Sequence, residues 1–89
     1  MKIVLSMRIV SNGQTKATIS REIQSSMIPF PGLIIEDDHE SEIKGVVFNV
    51  EEDYYFVTLS PDNLESKTEV DSVKEMYKER GWTIVGEGN

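Results

Sequence analysis

Gly45-Val46-Val47-Phe48-Asn49-Val50-Glu51-Glu52-Asp53-Tyr54-Tyr55-Phe56-Val57-Thr58-Leu59 decides the fold class of this 89-residue chain. Two runs of β-branched and aromatic residues flank three consecutive acids, the pattern of two strands joined by a solvated turn. Pairing Val50 with Tyr55 sets Phe48 opposite Val57 and Val46 opposite Leu59, so six apolar side chains share one face. Cross-strand pairs of this kind contribute roughly 0.2–1 kcal/mol each. The charged turn discourages edge-to-edge association. The other face carries Val47, Asn49, Tyr54, Phe56 and Thr58, apolar enough for a helix or a partner to cover.

Upstream, Ile3, Leu5, Met7 and Ile9 alternate with Val4, Ser6, Arg8 and Val10, which predicts a half-buried strand. Ala17, Ile19 and Ile23 predict a second. Between them lies Ser11-Asn12-Gly13. A two-residue Asn-Gly turn would put the two apolar rows on opposite faces, because a slip of one residue flips every side chain. A three-residue loop with Val10 opposite Gln14 keeps them together, and that register is the expectation. Met27 to Ile35 is apolar but broken by Pro29, Pro31 and Gly32, so it reads as an edge or corner ending in a short strand at Leu33-Ile34-Ile35.

Downstream, Lys67 to Arg80 reads as one helix. Ser66 with Glu69, or Thr68 with Asp71, supplies an N-cap, and Val70, Val73 and Tyr77 make the inward stripe beside Met76. Lys78 and Arg80 suit the C-terminal end, and Gly81 is the expected C′ residue. Trp82 to Val85 reads as a last strand. The order β-β-(β)-β-β-α-β predicts an α+β domain: a mostly antiparallel, twisted sheet of five to six strands with the helix packed on a face. A barrel-like curled sheet is the alternative. Residues 1–86 form one small domain in this reading, with 87–89 a loose tail.

Composition narrows the function classes. A chain of this length buries about 60–65% of its unfolded surface. With no cysteine, disulfides, thiolate nucleophiles and Cys-ligated zinc are excluded. No apolar run approaches the roughly 20 residues that span a bilayer. Met1 to Leu5 resembles the start of a signal peptide only until Arg8 interrupts it. A cytoplasmic protein with no membrane association is expected.

Residues 1–35 carry four bases against Glu22 alone, whereas residues 36–89 carry fifteen acids against five bases. This balance disfavours general nucleic-acid binding, since phosphate affinity rests on Lys and Arg. A strand of eight residues, Ile43 to Val50, spans roughly 25 Å, so the acids before and after it fall at opposite ends. Glu36, Asp37, Asp38, Glu40 and Glu42 are expected to join Asp62, Glu65, Glu69 and Glu87 in one acidic end. Glu51, Glu52 and Asp53 are expected near the neutralising Lys78 and Arg80.

The candidate metal ligands are Asp37, Asp38, His39 and Glu40, but EF-hand spacing and its turn glycine are missing, and a solvated charged loop is the expectation. His39 beside Ser41 does not make a triad, which needs residues converging in a pocket. Gly86-Glu87-Gly88 has no helix after it to complete a phosphate cradle. No cofactor and no catalytic residue are implied. Phe48, Tyr54, Tyr55 and Phe56 read as core rather than as a base-stacking platform. Pro29-Phe30-Pro31-Gly32 reads as a rigid corner that buries Phe30, or else as an apolar contact loop.

The function expected is therefore protein binding without catalysis. The contact residues would be Glu36, Asp37, Asp38, Glu40, Glu42, Asp62, Glu65 and Phe30, and a partner attracted by charge would be basic. A small-molecule or divalent-metal-binding domain, and a self-associating domain, are the alternatives. Monomer and homodimer both fit.

Overall fold

The computed structural model describes residues 1–37 and 39–87. Seven strands and one helix follow in the order β1 (Lys2–Ser11), β2 (Gln14–Gln24), β3 (Ile34–Glu36), β4 (Glu40–Asn49), β5 (Tyr54–Leu59), β6 (Asp62–Leu64), α1 (Val70–Glu79) and β7 (Thr83–Glu87). The strands hydrogen-bond in the order β3-β4-β5-β1-β2-β7, with β6 also beside β1. The α+β class is as expected. The sheet is mixed and open rather than purely antiparallel: β1 pairs in parallel with both β5 and β6, while β2–β7, β3–β4 and β4–β5 are antiparallel. Among the described residues it has seven strands rather than five or six, and the strand order does not close on itself. Pro61 accounts for one added strand: with no N–H to donate, it separates β5 from β6 where both run beside β1. The final strand pairs antiparallel with β2 and so runs in the same direction as β1 and β6.

The chain divides into two compact units, residues 1–6 with 22–60 and residues 7–21 with 61–89. In the first, Ile3, Leu5, Ile43, Val57 and Leu59 form the buried core, joined by Pro29. The β4–β5 pair keeps the predicted facial phase but slips by two residues: Phe48 faces Tyr55 and Val46 faces Val57. Asn49 sets this register. Its side-chain oxygen accepts the Glu52 N–H at 2.8 Å and its carbonyl accepts the Asp53 N–H at 2.9 Å, an Asx-type closure that leaves Val50 in the turn. A register shift between Ile43 and Gly45 then re-aims β4, so that Ser41 and Ile43 face inward below it.

In the second unit the core is Met7, Ile9, Ala17, Ile19, Tyr77 and Trp82. The β1–β2 turn is the two-residue form, not the three-residue loop, with Asn12 and Gly13 both left-handed at φ 52° and 74°. The apolar rows nevertheless bury together. Ser25 N–H donates to Met1 O, so β2 spends one residue more than β1 between the turn and that bond. One extra residue in β2 restores the phase that the turn alone would have inverted.

The helix starts three residues later than predicted. Glu69 is its N-cap and makes no side-chain capping bond, so neither capping pair forms. Its other end matches the sequence. Gly81 N–H donates to Lys78 O and Trp82 N–H to Tyr77 O, a Schellman closure with Gly81 at φ 92°. The accompanying contact is the Trp82 indole edge-on to Tyr77, ring centroids 5.9 Å apart. Among the described residues no helix is long and apolar enough to cross a membrane. Glu87, expected in the tail, belongs to β7, and Gly88 and Asn89 lie outside the described residues.

Candidate docking surface

The proline segment is a built corner. Leu33 N–H donates to Phe30 O at 3.2 Å, closing a turn with Pro31 and Gly32 at its centre. Gly32 at φ 94° takes the left-handed position that a type II turn demands, and Pro31 supplies the preset φ before it. Gly32 N–H donates to Ile43 O and Ile43 N–H to Leu33 O, both at 2.8 Å, which anchors the corner to β4. Upstream, Ser25 Oγ accepts the Met27 N–H at 3.0 Å.

The corner buries Pro29 and not Phe30. Phe30 is 53% exposed, Ile28 73% and Ile34, the first residue of β3, 51%. Phe30, expected inside the corner, stands outside it. Leu33 and Ile35, the alternate residues along the same segment, are half-buried.

The acidic run 36–42 is a hairpin rather than a long loop. Glu36 ends β3 and Glu40 begins β4, directly opposite it. Asp37 N–H donates to His39 O at 3.1 Å across the tip. Glu42 pairs with Lys44 at 3.0 Å. Asp38 lies outside the described residues. Among the described residues no three His, Asp or Glu side chains converge as metal ligands.

The other acids of the expected end belong to the second unit and have local roles there. Asp62 accepts a 2.6 Å hydrogen bond from the Tyr77 hydroxyl. Glu65 is exposed, and its carbonyl takes the Thr68 N–H before the helix begins. Glu87 meets Lys74 at 2.9 Å, and Lys78 pairs within its own helix with Glu75 at 3.0 Å. A shallow depression is lined by Asp71, Ser72, Glu75, Met76 and Glu79, all from α1.

A second apolar strip lies in the first unit. The pairings place Val47, Phe56 and Val4 side by side across three strands on one face. Val47 is exposed, and Lys2 sits 4.7 Å from the Tyr54 ring in the next row and 3.7 Å from Glu22. The sequence displays Val47 and Phe56. It does not display Val4 as their neighbour, because a parallel pairing between distant strands leaves no local mark.

No family model, curated protein or solved structure matches this chain. The site offers a held apolar corner beside a strand edge, with carboxylates on the same hairpin. Such a surface can exclude water from a partner and select its charge.

Proposed function

We propose that this chain is a small cytoplasmic protein-binding domain that performs no chemistry of its own and docks a partner through the proline corner. One observation carries the reading: Phe30 is more than half exposed on a corner fixed by two 2.8 Å main-chain bonds to β4. A phenyl ring presented on a rigid turn loses little conformational freedom on binding, which favours aromatic anchors at protein interfaces. Ile28 and Ile34 extend the apolar contact, and Glu36, Asp37 and Glu40 give a basic partner an electrostatic preference.

Affinity capture from source-cell lysate at low and high salt tests the reading, with the native chain, Phe30→Ser and an Asp37→Asn/Glu40→Gln double variant as baits. A partner retained by the native chain and lost with Phe30→Ser is the expected result. The carboxylate variant should weaken capture at low salt only. Equal capture by all three baits, or none by any, rejects the reading.

A further inference from the structure

The hydrogen-bond parity of the β3–β4 hairpin leaves one row of main-chain groups unused. Ile43 N–H donates to Leu33 O and Asp37 N–H to His39 O. With Ile35 opposite Ser41, the Leu33 carbonyl, the Ile35 main chain and the Asp37 N–H therefore turn toward the β4 side. Ile34 and Glu36 occupy the alternate positions, whose N–H and C=O point away from the partner strand. β3 stands at the end of the strand order, and among the described residues no strand receives those groups.

The side chains of the same two residues are equally distinctive. Ile34 lies opposite Glu42 and Glu36 opposite Glu40, so an exposed isoleucine and three glutamates share one face. Like charges directly opposite each other destabilise a ladder, most of all in the closer, non-hydrogen-bonded pairs. Lys44 serves Glu42. Among the described residues neither Glu36 nor Glu40 has a cation.

We propose that β3 is a strand-addition edge for an extended segment of a partner protein that carries a Lys or Arg and an apolar residue two positions apart. The inference rests on the docking reading above and specifies its chemistry. Main-chain bonds would form to Ile34 and Glu36, as in other edge-strand recognition. The period of two along a strand then sets the apolar side chain beside Ile34 and the basic one beside Glu36, with Glu40 one strand further in on the same face. Charge argues against a second copy of this chain as the occupant. It would bring its own carboxylates to the edge, and the chain carries a net charge of −7.

The probe is a fluorescein-labelled peptide, Thr-Lys-Thr-Ile-Thr-Lys-Thr, which presents Lys-x-Ile-x-Lys on one face in either chain direction. Fluorescence anisotropy should show binding at low salt, at least tenfold weaker for the peptide with Glu in place of Lys. Ile34→Pro removes one outward N–H and spares the β4 ladder; it should weaken binding at least tenfold. Methylating alternate peptide amides should do the same without altering the protein. Glu36→Gln/Glu40→Gln should weaken binding several-fold and flatten its salt dependence. Lys and Glu peptides of equal affinity, indifference to amide methylation, or a dimer by light scattering that Ile34→Pro abolishes would each overturn the proposal. A lysate partner that needs Phe30 but tolerates Ile34→Pro keeps the docking reading and rejects strand addition. A partner that ignores both rejects docking itself.

Discussion

The Tyr77 hydroxyl donates a 2.6 Å hydrogen bond to the Asp62 carboxylate, tying α1 to β6. Tyr77 is buried while Asp62 is half-buried, so the bond forms at the margin of the core. An acid expected on a docking surface therefore has a holding role inside its own unit. Tyr77→Phe keeps the ring packing against Trp82 and deletes the bond. It should cost about 1.5 kcal/mol, the lower end for a bond to a charged group, because water can reach Asp62 once freed. Urea denaturation checks this, and a double-mutant cycle with Asp62→Asn should show less than additive loss.

The Schellman closure predicts a specific penalty. Gly81 holds φ 92°, a region costly for residues with a Cβ. Gly81→Ala should destabilise the protein by about 1 kcal/mol even though open space surrounds the position. Gly81→Asn should lose less, since Asn tolerates the left-handed region. Thermal unfolding of the two variants gives the comparison.

Lys74 and Glu87 make stability depend on pH at both extremes. The hydrogen bond to Lys74, then its charge, lowers the Glu87 carboxyl below its ordinary 4.5. The hydrogen bond to Glu87 likewise raises Lys74 above 10.5, against the desolvation of its mostly covered stem. A depressed acid stabilises the fold above its unfolded pKa and loses that contribution as pH falls through the folded value. A raised base stabilises below its unfolded pKa and loses that contribution as pH rises through the folded value. The Tm difference between the native chain and Glu87→Gln should therefore be constant from about pH 5 to about pH 10 and shrink outside that window. The effect should be small, because the pair is at the surface.

Glu36 and Glu40 face each other across the hairpin without a cation among the described residues. Glu40→Lys converts repulsion to attraction and should stabilise by about 0.2–1 kcal/mol. Added salt should raise the stability of the native chain and lower this gain. Chemical denaturation in urea at two salt concentrations measures both.

Local chemistry is what the sequence carries openly. The alternation of Ile3, Leu5, Met7 and Ile9, the burial of Ala17 and Ile19, the facial phase of Val46, Phe48, Tyr55 and Val57, and the stop at Gly81 follow from periodicity and from glycine's backbone freedom. The helix start at Ser66 or Thr68 was equally well marked in the sequence, yet both capping pairs stay unmade and the helix begins after Glu69. A cap contributes only about 1 kcal/mol, so placement of the inward stripe can override it.

The candidate site divides in the same way. Pro31-Gly32 displays the turn, but that Pro29 goes inside and Phe30 outside is decided by how the corner is bonded to β4, which no local pattern shows. The acids of residues 36–42 are plain in the sequence, while their cross-strand opposition at Glu36 and Glu40 depends on a tight hairpin between short strands. Sequence by itself determined which residues alternate, turn and terminate, because those preferences act over three or four neighbours. Only the tertiary structure decided that β1 runs parallel to β5 and β6, that β7 returns to β2, and that Ile34 and Glu36 face outward from a sheet edge. Those outcomes rest on hydrogen-bond parity and packing between segments far apart in the chain, which no local pattern encodes.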